Sequence, residues 1–156
     1  MMEKMIALEQ VAEIRKSRIL VTTNGSFDIL HVGHLRILQQ AKKWGDILLV
    51  LVNSDASIKL NKGDSRPIIP LKERMEMLAG LACVDYILSF DEKEVLLPLD
   101  KIRPDVHVKG GTFIPECIIN EKNLVESYGG KHICLSKIEG YSTTNIIEKI
   151  RSTLAL

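Results

Sequence analysis

His31 and His34 stand three residues apart at the end of the run Thr22-Thr23-Asn24-Gly25-Ser26-Phe27-Asp28-Ile29-Leu30-His31-Val32-Gly33-His34. On the first turn of a helix an i, i+3 pair projects both imidazoles to one side, where two N–H donors can reach the same phosphate group. Gly33 leaves room for that ligand. Other uses of these residues stay open: one histidine caps the helix while the other packs in the core, or Asp28, His31 and His34 ligate a metal. No fourth protein ligand lies nearby, so the setting favours phosphate over zinc and no protein-held metal is expected.

Further along, Glu139-Gly140-Tyr141-Ser142-Thr143-Thr144-Asn145 reads as a turn entering an N-capped helix. The hydroxyls of Ser142, Thr143 and Thr144, with the free N–H groups of that helix start, can hold β- and γ-phosphates, although a plain Ser/Thr cap uses the same residues. Val108-Lys109-Gly110-Gly111 adds a cation and two glycines that let a backbone approach a ligand closely. Lys62 and Arg66 lie in the long polar segment Asn61 to Pro70, and Arg74 follows it; together they add positive charge. Asp55 is a candidate helix cap or a hydrogen-bond partner for the site.

Elements must bring these segments together. Short apolar runs rich in β-branched residues alternate with amphipathic stretches along the whole chain, the pattern of βα units in a parallel sheet. The predicted strands are Ile19 to Thr23, Ile47 to Asn53, Val84 to Phe90, Val106 to Lys109 and His132 to Leu135. The second is almost unbroken Ile, Leu and Val and is expected to be central. Helices are predicted over His34 to Trp44, Leu71 to Ala82, Glu94 to Ile102, Ile118 to Tyr128 and Thr143 to Leu154. Met5, Leu8, Val11, Ala12 and Ile14 recur at helical spacing, so an opening helix is expected, as a packing element or a homodimer contact. In such α/β sheets the ligand crevice lies beyond the carboxyl ends of the strands, where the first histidine, Lys109 and the polar loops all fall.

The 156 residues are 46% hydrophobic and 26% charged, which suits one domain over residues 1–156 with a single core. Twenty-one Lys and Arg balance twenty Asp and Glu, leaving +1, so no overall field points to nucleic acid or an acidic membrane. The longest wholly apolar stretch, Ile47 to Val52, is far below the roughly 20 residues of a membrane helix, and the start lacks a signal-peptide pattern. A cytoplasmic protein is expected. Cys83, Cys117 and Cys134 are read as buried thiols rather than a disulfide or metal framework.

Gly25-Ser26-Phe27-Asp28 followed by His31-Val32-Gly33-His34 resembles the cytidylyltransferase-type nucleotidyltransferase signature GxFDxxHxGH, and Gly140 to Ile146 is similar to that family's second signature, G-x-S-T-T-x-I. The resemblance implies a Rossmann-like three-layer αβα sandwich with a five-stranded parallel sheet, whose paired histidines stabilise the triphosphate in the transition state. Asn53 to Ser57, Lys62 to Pro67, Val108 to Gly111 and Ser142 to Ile147 resemble one subfamily, the heptose 1-phosphate adenylyltransferases. That likeness runs from about Ile19 to Ile150 and leaves residues 1–17 outside it. It implies transfer of AMP from ATP, carried with Mg2+, to D-glycero-β-D-manno-heptose 1-phosphate, giving ADP-heptose for bacterial lipopolysaccharide and pyrophosphate.

Carried over residue by residue, the resemblance makes His31, His34 and Lys109 catalytic. Asn24, Gly25, Ser26, Phe27, Asp28, Gly33, Arg74, Gly110, Gly111, Ser142, Thr143 and Thr144 would hold the nucleotide, and Asp55, Lys62 and Arg66 the sugar phosphate. Thr112 stands where members often carry an acidic residue, which leaves that loop's contacts open. Many members are joined to a sugar kinase; with no kinase segment in the sequence, a stand-alone form is expected. Two other readings compete: a CTP-dependent enzyme acting on glycerol 3-phosphate or another alcohol phosphate, and a nucleotide-binding regulatory module without catalysis.

Overall fold

Ile47–Asn53 forms a strand in which every residue is buried, as a run with apolar side chains on both faces requires. It belongs to a five-stranded, all-parallel sheet in a computed structural model that describes residues 2–110, 115–136 and 138–154. In chain order the strands are β1 (Leu20–Gly25), β2 (Ile47–Asn53), β3 (Tyr86–Phe90), β4 (Val106–Lys109) and β5 (Lys131–Cys134). Their spatial order is β3-β2-β1-β4-β5. The middle strand is therefore β1, and β2 is an inner strand beside it, a correction to the expectation that β2 is central.

The helices are α1 (Val11–Arg15), α2 (Val32–Lys42), α3 (Asp55–Lys62), α4 (Leu71–Ala79), α5 (Leu96–Ile102), α6 (Pro115–Ser127) and α7 (Thr143–Leu154). Alternation along the strands splits the core in two. On one face Val21, Leu48 and Val50 pack with Leu38 and Ala41 of α2 and Leu78 of α4. On the other, Leu20, Leu49 and Leu51 pack with Leu99 and Ile102 of α5 and Val125 of α6. This is the three-layer sandwich. Each fully buried Leu, Ile or Val contributes roughly 1.5–3 kcal/mol relative to exposure.

The opening segment is not one helix. Two short 3-10 turns, Met2–Lys4 and Leu8–Gln10, precede the five-residue α1. The intervening backbone instead adds to the sheet edge: Ile6 N–H donates to Ile87 O at 2.9 Å, and Met5 bridges Ile87 in parallel. Lys4 Nζ donates to the carbonyls of Leu81 and Val84. Met5, Ile6 and Leu8 pack against the molecule's own core, which accounts for their apolar spacing.

The chain also carries α3, a helix not predicted from the sequence, whose last two residues, Asn61 and Lys62, overlap the segment Asn61 to Pro70 read as a loop. Ser54 caps it, its Oγ accepting from Ser57 N at 3.2 Å. Cys134 is exposed and Cys83 half-buried, so neither is the buried thiol expected. The side chain of Cys117 lies outside the described residues.

After β3 the chain crosses back to place β4 on the opposite side of β1. Strand order thus reverses at the β1–β4 pair, and the carboxyl ends of these two strands, Asn24–Gly25 and Lys109, open a crevice.

Candidate active site

The crevice is a cleft of about 630 Å³ lined by Asn24, Gly25, Ser26, Phe27, Asp28, His31, Gly33, His34, Lys62, Arg66, Lys109, Gly110, Ser142, Thr143 and Thr144. Four segments distant in sequence thus meet on one cavity. Gly111 and Thr112 lie outside the described residues.

His31 is the N-cap residue of α2, with extended backbone, and His34 sits on the first turn. Their rings stack, with centroids 3.8 Å apart. His31 N–H donates to His34 Nδ1 at 3.4 Å. Helix capping and ligand reach, posed as alternatives from the sequence, coexist: the backbone caps and the rings line the cleft. Burial pushes the His31 pKa down. His34 is pushed down to about 4 by burial, with His31 and Lys62 adding repulsion. Both imidazoles are neutral at pH 7 and each keeps one N–H donor. Gly33 is obligatory here, since a Cβ would stand 2.8 Å from Tyr141 Cβ and 2.9 Å from the His31 ring.

Ser142 Oγ accepts from Asn145 N at 3.0 Å, capping α7. Thr143 Oγ1 donates to Asp28 O at 2.9 Å, tying that helix start to the loop after β1. The two signature segments are thus joined directly, and the N-terminus of α7 faces the same cavity as the histidines.

Asp28 is an internal strut. Its carboxylate accepts from Arg66 Nε at 2.6 Å and from the N–H groups of Ile68 and Ile69 at 2.9 Å each. Burial alone raises its pKa, but the two backbone donors and Arg66 outweigh that and leave it lowered. The loop of residues 63–70 is thereby fastened over the cleft. Lys62 has no ion pair among the described residues, and its pKa is lowered by burial and by repulsion from Arg66. Such a cation in a lined cavity is stabilised by an arriving anion.

Arg74 and Asp55 do not line the cleft, which corrects their expected ligand roles. Arg74 is buried and spends its donors inside: Nε on Ile69 O at 2.9 Å, Nη1 on Ser26 O and Asn53 O at 2.5 and 2.9 Å, Nη2 on Asp55 Oδ1 at 2.7 Å. Asp55 also accepts from Leu71 N at 2.9 Å. Together they clamp the ends of β1 and β2 to the start of α4.

Lys109 reaches the cleft, yet its ammonium is held by Glu121 Oε1 at 2.7 Å and Asn24 Oδ1 at 3.1 Å. Gly110 is needed for close packing, because a Cβ would stand 2.6 Å from Ile37. Lys93, Glu94, Glu121 and Tyr141 also line the cavity and were not singled out from sequence. Tyr141 lay inside a quoted signature, and Arg36 sits over its ring at 5.2 Å. The others carried no spacing signal. No helix among the described residues is long and apolar enough to cross a membrane.

The sequence model of the cytidylyltransferase-like family matches residues 22–155. The bifunctional protein HldE of Syntrophotalea carbinolica is 49% identical over 146 residues, 92% of this chain and 30% of that protein. HldE of Helicobacter pylori is 44% identical over 151 residues, 96% of this chain and 32% of that protein. The chain thus spans about 30% of the length of these curated relatives. A lipopolysaccharide core biosynthesis protein from Thermoplasma volcanium superposes with a TM-score of 0.64 at 28% identity, covering 81% of this chain and 100% of that one. Pantoate-beta-alanine ligase from Francisella tularensis superposes at 0.66 over 94% of this chain and 76% of that one. At 17% identity it shows a shared fold alone.

Proposed function

Because the chain belongs to the cytidylyltransferase-like family and is a nucleotidyltransferase, we propose that it transfers AMP from ATP to D-glycero-β-D-manno-heptose 1-phosphate, releasing pyrophosphate. One observation carries this reading: His31, His34 and the hydroxyl-capped start of α7 line a single cleft at the sheet's switch point. The choice of substrate rests on the subfamily resemblance and on the HldE relatives.

An oxygen of the sugar phosphate attacks the α-phosphorus of ATP while the bond from that phosphorus to the β-phosphate oxygen breaks in line, so that pyrophosphate leaves from the opposite side. The nucleophile is already an anion at neutral pH, with a second pKa of about 6, so neither histidine is needed as a base. The neutral imidazoles donate to the triphosphate as negative charge moves onto the leaving group. Ser142, Thr144 and the α7 N-terminus hold its outer oxygens, and Lys62 meets an incoming phosphate.

Mg2+ would be carried in with ATP and would neutralise part of the triphosphate charge; both Asp28 oxygens are already taken by N–H donors, so that carboxylate is not free to hold it. We propose the cytoplasm as its compartment.

A pyrophosphate-release assay over ATP, CTP, GTP and UTP against heptose 1-phosphate, other sugar 1-phosphates and glycerol 3-phosphate tests the proposal. Turnover is expected only with ATP and the heptose phosphate. Selective turnover of CTP with an alcohol phosphate overturns it in favour of the cytidylyltransferase reading, and nucleotide binding without turnover favours the regulatory module.

A further inference from the structure

Behind Lys109 the structure brings three metal-type donors to one point. His107 and His132 are direct partners in the β4–β5 register, so their side chains leave the same face of the sheet. That face is covered by α6, which presents Glu121. Glu121 Oε2 lies 3.4 Å from His107 Nε2 and 3.9 Å from His132 Nε2. All three side chains are at least nine-tenths buried, and these three atoms have no hydrogen-bond partner among the described residues.

A buried polar atom left unpaired loses its hydration without regaining a hydrogen bond, which destabilises the fold. Three of them aimed at one another need a common partner. Their separations exceed the 2.7–3.2 Å range of good N–H···O bonds. The 3.4 Å separation matches, and the 3.9 Å separation lies a few tenths of an ångström beyond, the roughly 3.3–3.5 Å between two ligands of a tetrahedral ion with bonds of about 2.0–2.2 Å, and all three donors lie within 4.8 Å of one another. We propose that His107 Nε2, Glu121 Oε2 and His132 Nε2 form a binding site for one divalent transition-metal ion of the zinc class, with water completing the shell.

The surroundings suit such an ion. His107 Nδ1 lies 2.8 Å from Thr22 Oγ1, a partner that orients the ring and can fix the tautomer whose Nε2 lone pair is free. Two nitrogens and one carboxylate oxygen select zinc, cobalt or nickel over magnesium. His107 and His132 do not line the nucleotide cleft, so this ion is separate from the Mg2+ carried by ATP. Glu121 bridges the two regions, Oε2 on the ion and Oε1 on Lys109.

Zinc titration by calorimetry into chelator-stripped protein, in excess Mg2+, tests the site. One equivalent is expected to bind and to raise Tm. His107→Leu and His132→Leu are expected to weaken binding at least about 100-fold, at or beyond the upper end of losses measured for supporting residues of metal sites. The double variant His31→Ala/His34→Ala is expected to bind zinc as the wild type does. Failure of the wild type to take up stoichiometric zinc, as when a water sits among the three donors, overturns the proposal. So does retention of binding in both leucine variants, or its loss in the cleft variant. Should a leucine variant fail to fold, as circular dichroism reports, cobalt substitution of the wild type decides: intense visible bands of a four- or five-coordinate site support it, and the weak spectrum of hydrated cobalt overturns it.

Discussion

The imidazole planes of His31 and His34 lie 23° from parallel at 3.8 Å, a stack that two neutral rings adopt and two cations would resist. Burial sets that protonation state in both rings, and repulsion from His31 and Lys62 adds to it at His34. At rest the cleft therefore offers two dipolar donors. Lys62 adds positive charge to the cleft, and its ammonium lacks an ion-pair partner among the described residues.

In the proposed mechanism His34→Ala removes one donor to the leaving pyrophosphate. A fall in kcat of about 10²–10³ is expected, the range for deleting one preorganised transition-state donor. The fold should persist, because His34 is only half-buried and the Phe27 ring beside it, 5.4 Å away between centroids, keeps its place in the core. Steady-state kinetics with a thermal melt check this; unchanged turnover removes His34 from the chemistry.

Acid should destabilise the protein before the carboxylates titrate. The folded pKa of His34, about 4, lies below its unfolded value near 6.5, so the unfolded chain binds the extra proton between those limits. Stability contributed by the neutral ring is complete above pH 6.5 and is lost as pH falls toward 4. The slope is at most about 1.4 kcal/mol per pH unit for one proton. Asp28, with its lowered pKa, adds a second loss below its ordinary range. Urea melts from pH 7.5 to 4 should show this decline, and His34→Gln should flatten its upper part. Equal slopes in both proteins refute the assignment.

Much of this was legible in the sequence, for reasons that particular residues make plain. Ile47–Asn53 is apolar throughout because both faces are covered, and it was found within its observed limits. The segments around β1, α2 and α7 that meet on the cleft were legible because they carry unusual residue types at fixed spacing. Helix α3 was not, since it is eight residues long and its buried side is little more than Ser57 and Ile58. The opening segment misled because Met5 and Leu8 serve a sheet edge and two 3-10 turns, where the 3.6-residue period means nothing. Arg74 reads as a free cation in one dimension; only the fold supplies the four acceptors that consume it. The His107, Glu121 and His132 cluster depends on strand register and a helix crossing, which no local spacing encodes.

Arg74→Met tests whether that arginine is a clamp. Removing it leaves Asp55, whose side chain is 42% exposed, without its charge partner, and takes a donor from the carbonyls of Ser26, Asn53 and Ile69, a loss of about 1–3 kcal/mol for stranded polar groups. Chemical denaturation should show that drop. At temperatures where the variant is folded, its KM for ATP should stay within severalfold of wild type. A raised KM without lost stability would return Arg74 to the phosphate site.

Lys62→Ala should act on affinity. A charge-assisted contact to a phosphate contributes about 1.5–3 kcal/mol, so KM for one of the two anionic substrates should rise roughly 10- to 100-fold. Arg66→Ala should have a mixed effect, because Arg66 also braces Asp28 and the loop of residues 63–70. Separate KM values for ATP and sugar phosphate identify which anion Lys62 meets; if neither moves, its charge has no role in binding.

Gly33→Ala probes the histidine geometry without touching a donor. The added methyl would stand 2.8 Å from Tyr141 Cβ and 2.9 Å from the His31 ring, inside van der Waals contact on both sides. Alanine favours the helix that residue 33 already occupies, by roughly 0.5–1 kcal/mol, so secondary structure should not suffer. The clash is relieved only by turning His31 or displacing Tyr141, and the Ser142 cap follows Tyr141 directly. Because misplacing a catalytic group by about 1 Å can cost 10² in rate, kcat should fall by one to two orders of magnitude with a much smaller change in Tm. Full activity in this variant would mean that the close contact of the two signature segments is not required for the chemistry.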